Sequence, residues 1–120
     1  MKIAISSKGK ELDSLLDSRF GRARYFIIYD GKADTFSVMD NSMNFDAAQG
    51  AGIQTAQNVL STGVEHIITG HCGPKAYKVL SLSAAKLYLK ENGTVKEAID
   101  DLIGGKLKAA NNADVEGHWM

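Results

Sequence analysis

The spacing of the apolar residues changes once along this chain, near residue 50, and that change limits the fold more than any other feature of the sequence. Before it the apolar runs are short and extended. Ile3 and Ile5 flank Ala4 in a β-prone stretch over 2–6 that gives way to the polar Ser6-Ser7-Lys8-Gly9-Lys10. Tyr25-Phe26-Ile27-Ile28-Tyr29 and Thr35-Phe36-Ser37-Val38-Met39 are aromatic and β-branched, and Asp30-Gly31-Lys32-Ala33-Asp34 between them supplies the turn of a hairpin. From Gly52 onward Ile53, Ala56 and Leu60 fall three and four apart up to Gly63, which predicts a helix over 48–62. Glu65-His66-Ile67-Ile68-Thr69 predicts a strand running into Gly70-His71-Cys72-Gly73, and Pro74 suits the first turn of a helix that faces Ala76, Val79 and Leu80 inward. A last strand is expected over 84–89, then a turn at Asn92-Gly93. Thr94 and Glu97 form a capping box ahead of an apolar stripe, Val95, Ala98, Ile99, Leu102 and Ile103, closed by Gly104-Gly105.

A strand, a hairpin and then alternating strand–helix units define an α/β domain, a mixed five-stranded sheet flanked by helices. The order of elements, three strands, helix, strand, helix, strand, helix, is ribonuclease-H-like. Right-handed crossovers bring the first, fourth and fifth strands side by side, with the hairpin extending one edge. A chain of 120 residues with 44% hydrophobic content fills one core, not two. That single domain is placed over 1–108, and the polar, aperiodic stretch 109–120 is expected to be a flexible tail despite Trp119. No apolar run approaches the ~20 residues of a membrane span, and Met1-Lys2-Ile3-Ala4-Ile5 turns polar too soon for a signal peptide. A cytoplasmic protein with no membrane partner is expected.

Charge is balanced overall and uneven locally. Fourteen Lys+Arg against fourteen Asp+Glu removes the global attraction that phosphate-backbone binders use, so nucleic acid is not an expected partner. Yet every arginine lies within Arg19-Phe20-Gly21-Arg22-Ala23-Arg24, whereas the lysines are scattered. The planar guanidinium donates several fixed hydrogen bonds and stays charged, so this loop suggests an anion site; the alternative is surface pairing with Asp13, Asp17 and Asp30. The second candidate is Gly70-His71-Cys72-Gly73-Pro74. Imidazole and thiolate suit soft or borderline metals, and backbone amides at a helix start favour a thiolate or an anion. The alternative is a small buried cysteine and a loop histidine bonded to backbone. One cysteine cannot close an internal disulfide or hold an all-cysteine iron–sulfur cluster, and adjacent residues of an extended stretch point apart, so a closed zinc site is not expected. His66 in its strand, His118, and the thioethers Met39 and Met43 fit structural roles better than ligation. Asn44 through Gly52 lacks dinucleotide-fingerprint spacing, and the chain has no Walker A loop, G-x-S-x-G elbow or zincin helix. A nuclease would need an acidic residue in the first strand, where Lys2-Ile3-Ala4-Ile5-Ser6 has none.

Arg19-Phe20-Gly21-Arg22-Ala23 before Tyr25-Phe26, Gly50-Ala51-Gly52-Ile53-Gln54, Gly70-His71-Cys72-Gly73-Pro74-Lys75-Ala76 and Gly93-Thr94-Val95-Lys96-Glu97-Ala98 stand in an order that resembles the dinitrogenase iron–molybdenum cofactor biosynthesis family. That family includes NifX-like carriers, the C-terminal domain of NifB and the orange protein, which holds a molybdenum–copper sulfide cluster. The resemblance spans 1 to about 108. It implies non-catalytic binding and carriage of an anionic metal–sulfur cluster or its precursor, iron–molybdenum cofactor-like or molybdenum–copper sulfide, with cluster donor or acceptor proteins as partners. Phe20, Gly21, Arg22, Gly73 and Pro74 match the family's motif positions. Arg19 and Gly70 join them as candidate cofactor-binding residues, and Cys72, with His71 a weaker second, is the candidate metal ligand; the His71-Cys72 pair departs from the family pattern. A partner-binding or regulatory module of the same fold, without a cluster, is the alternative.

Overall fold

The computed structural model describes residues 1–45 and 51–110. Five strands, β1 (Lys2–Ser7), β2 (Tyr25–Asp30), β3 (Thr35–Asp40), β4 (His66–Thr69) and β5 (Lys86–Leu89), form one sheet in the order β3-β2-β1-β4-β5. Pairing is antiparallel along β3-β2-β1 and parallel along β1-β4-β5. The hairpin therefore extends one edge of a three-stranded parallel core, as the order of elements requires. The helices are α1 (Ser42–Phe45), α2 (Ala51–Leu60), α3 (Pro74–Ser81) and α4 (Val95–Ile103). The short α1 was not expected, and the expected start of the α2 helix at 48 lies outside the described residues.

Strand alternation divides the sheet's side chains between two cores. Ala4, Phe26, Ile28, Ile67 and Leu87 face α2 and α3, which contribute Ala56, Val59, Ala76 and Leu80. Ile3, Ile5, Ile27, Ile68 and Tyr88 face α4, which contributes Val95, Ala98 and Ile99. The expected capping box starts α4: Glu97 N–H donates to Thr94 Oγ1 at 3.1 Å and Thr94 N–H to Glu97 Oε1 at 2.8 Å. Its apolar stripe is shorter than expected, because Ile103 in the last turn is 58% exposed.

Several boundaries move by one or two residues, α2 ending at Leu60 among them. Ala84 and Ala85 are not strand, because the end of α3 is still unwinding there: Ser83 N–H donates to Leu80 O, and Ala85 N–H is taken by Ser83 Oγ. Beyond residue 108, Ala110 N–H donates to Leu87 O at 2.7 Å and Ala109 bridges Tyr88, so the chain is paired along the outer side of β5 as far as 110. The remainder of the expected tail, 111–120, lies outside the described residues.

Candidate functional site

The two sequence-predicted loops lie side by side. The segment linking β1 to β2 crosses the carboxyl ends of β1 and β4, where Phe20 N–H donates to His71 O at 3.0 Å and Arg19 bridges His71 in parallel fashion. Carboxyl ends of parallel strands are where open α/β sheets bind ligands, because loops there rise above the sheet while helices begin beneath them. Arg19, Arg22, His71 and Gly73 are thus brought to one end of the molecule.

Buried polar groups hold the arginine loop from below. Asn41, 1% exposed at the end of β3, donates from Nδ2 to Ala23 O at 2.9 Å. Thr55 of α2, fully buried, donates from Oγ1 to Gly21 O and lies 3.3 Å from Asn41 Oδ1. Asp17, 2% exposed, accepts from the N–H of Arg19 at 3.0 Å and from its Nε at 3.3 Å. Sequence reasoning missed Asn41 and Thr55, whose only signal is that each is a polar residue bordering an apolar run. It weighed Asp17 as an ordinary surface partner, whereas the carboxylate is buried.

The glycines divide by what surrounds them. A Cβ on Gly21 would stand 2.9 Å from Gly52 Cα, and one on Gly70 would stand 2.7 Å from Ser18 Cα. These two glycines let backbones pack, the arginine loop on the start of α2 and the β4–α3 loop on the β1–β2 segment, and do not open room for a ligand. A Cβ on Gly73 would meet nothing within 4 Å. Gly73 is the N-cap of α3, has no capping side chain, and precedes a first turn without an acidic residue. With Pro74 lacking an N–H, the backbone N–H groups of Lys75 and Ala76 and the helix's positive end are what this start offers an anion.

Two expected side chains point the other way. Phe20 is 2% exposed and packs edge-on against Phe26 with ring centroids 5.4 Å apart, so it serves the core and not a ligand. Cys72 is fully buried in the same core, its Sγ 3.7 Å from Gly73 O, and burial pushes its thiol from 9.0 up to about 12. The expected accessible thiolate at a helix start is therefore replaced by a packed, protonated thiol. His71 is partly exposed, with Nε2 3.8 Å from Glu91 Oε1. Arg24 lies over Tyr25, its Cζ 5.7 Å from the ring centroid. Among the described residues no group of three or more His, Cys, Asp or Glu is placed to hold a metal ion. The donor set fits an anion held by guanidinium and amide groups, and does not fit a closed coordination shell.

The arginine loop and an uncapped helix start thus lie together at the carboxyl ends of the parallel strands of a small α/β domain. The chain belongs to the dinitrogenase iron–molybdenum cofactor family, whose model matches residues 1–105. Among solved structures it is similar to the apo form of the orange protein from Desulfovibrio gigas, with a TM-score of 0.88, 33% identity, and 91% of this chain and 92% of that one covered. It is also similar to a NifB-like Thermotoga protein assigned to the DUF35 family, with a TM-score of 0.79, 40% identity, and 90% and 91% covered. An uncharacterized protein of Methanocaldococcus jannaschii is 28% identical over 111 residues, 90% of each chain.

Proposed function

We propose that this chain binds an anionic metal–sulfur cluster or its precursor and carries it, without catalysis, between a donor and an acceptor protein of cofactor biosynthesis. The observation that carries the reading is the apposition of the arginine loop, through Phe20 N–H and His71 O, to the open N-cap of α3 at Gly73. Arg22, which is exposed, and Arg19 supply charge and directed donors, and the first-turn amides of α3 supply more. Such contacts grip the sulfide surface of a preassembled cluster without replacing its ligands, which suits cargo that must leave again. In this reading His71 adds one exchangeable bond, and Cys72 adds a second only if the 70–73 loop opens. Iron–molybdenum cofactor-like and molybdenum–copper sulfide clusters both meet this description.

Metal and acid-labile sulfide analysis of protein purified without oxygen tests the reading directly. In binding assays with tetrathiomolybdate, Arg22→Ala should weaken affinity more than Lys108→Ala, and the difference should shrink as salt rises. Equal effects would return the arginines to the solvated surface. A partner-binding module of the same fold without cargo is the second reading, and the buried thiol of Cys72 is the observation that favours it; protein that retains neither metal nor sulfide and ignores thiomolybdate would establish that reading instead.

A further inference from the structure

Resting on the reading above, we propose that Asp17 is a built-in counter-charge of the anion site, which loosens the hold of Arg19 on its cargo and keeps binding reversible. The Asp17 carboxylate is 3% exposed while the Arg19 side chain it meets is 55% exposed. The Asp17 backbone is fixed from both sides. Asp17 N–H donates to Ser6 O at 2.9 Å, and Asp17 O accepts from Ser6 Oγ at 2.6 Å, with Thr69 Oγ1 a further 2.8 Å from that hydroxyl. Ser6 and Thr69 are fully buried at the carboxyl ends of β1 and β4, so the backbone that carries the carboxylate is anchored in the sheet.

A buried carboxylate is costly to desolvate, and placing one under an anion site opposes binding. Arg19 meets Asp17 through its backbone N–H, Nε and one Nη, at 3.0, 3.3 and 3.5 Å. A guanidinium has five donors, more than one carboxylate accepts in this geometry, so the same side chain can face Asp17 below and an anion above. The share of its charge that Asp17 takes is lost to the anion. Removing the carboxylate's charge while keeping an acceptor for the Arg19 N–H should return that share to the anion.

The test uses two tetrahedral probes of the same shape and different charge, tetrathiomolybdate, a dianion, and tetrathioperrhenate, a monoanion, on the full chain. Coulomb energy scales with the product of charges, so the gain for the dianion should be the square of the gain for the monoanion. Asp17→Asn should tighten tetrathioperrhenate on the order of threefold and tetrathiomolybdate on the order of tenfold at low salt. Asp17→Ser, whose hydroxyl also accepts from an N–H two residues on, should give the same sign and covers the case in which the asparagine variant does not fold. A merely structural role for Asp17 predicts weaker binding of both probes, and equal gains for both would mean a change of shape and not of charge; either result overturns the proposal while leaving the carrier reading intact. If the unaltered protein binds neither probe, the carrier reading falls and this inference falls with it.

Discussion

At Cys72 two electrostatic effects oppose each other. A helix start favours a nearby thiolate by about 0.3–1 kcal/mol, whereas the rise from 9.0 to about 12 that burial imposes corresponds to about 4 kcal/mol. Burial wins by a wide margin, so the native protein should resist iodoacetamide near neutral pH and react only on unfolding; rapid stoichiometric labelling of the native protein would contradict this. The same shift sets a pH dependence. A thiol whose folded pKa is raised contributes stability in full below its unfolded value near 9, and that contribution is lost as pH rises toward about 12. Over that window the unaltered protein should lose stability faster than Cys72→Ala, measured by urea melts at each pH. The sequence does not decide between ligand and core for this residue, because Phe20, Phe26, Ala56 and Leu87, which share its core, come from four separate segments and no local spacing records that they meet.

Elements were legible where their signals are local. The capping box of α4, the hairpin turn and Pro74 at the start of α3 each act over a few residues, and each appears where the sequence placed it. The contacts between elements were not, and the glycines show why. All of them are permissive on paper, yet Gly21 stands against the backbone of Gly52, whose own missing Cβ would meet Ala76 Cβ at 3.2 Å. One line of small residues thus joins the arginine loop, α2 and α3, and it exists only once the helices are docked. Gly21→Ala must push backbone against backbone and should cost about 1–3 kcal/mol, the usual range for overpacking. Gly73→Ala has open space and a backbone φ of −65°, so it should cost less than about 1 kcal/mol, a weak capping effect. Thermal melts of the two variants separate the roles: a larger loss from Gly73→Ala would mean that the N-cap, not the loop–helix junction, is the tightly packed point.

At the scale of the whole molecule the mixed sheet has two outer strands, and backbone groups along each need protection. On one side the hairpin shields β1, and β3 becomes the edge; on the other, β5 would present unpaired backbone groups if the chain ended at α4. The family match stops at 105, but this chain continues back along β5, where Leu107 packs against the α4-side core and Ala110 N–H bonds to Leu87 O. The sequence assigns no partner to this stretch because Lys106-Leu107-Lys108-Ala109-Ala110 shows no period, and edge pairing needs only backbone. A chain ending at Gly105 should therefore be less stable than one ending at Ala110. Losing the burial of Leu107 and one or two backbone hydrogen bonds amounts to about 1–3 kcal/mol. For a domain of this size each kcal/mol lowers Tm by about 4–8 °C. Calorimetry of the two truncations should show that difference, and the amide of Leu89, next to the exposed edge, should exchange faster in the shorter one. Equal melting temperatures would mean that the segment 106–110 only lies on the sheet, and that β5 is stable as a bare edge.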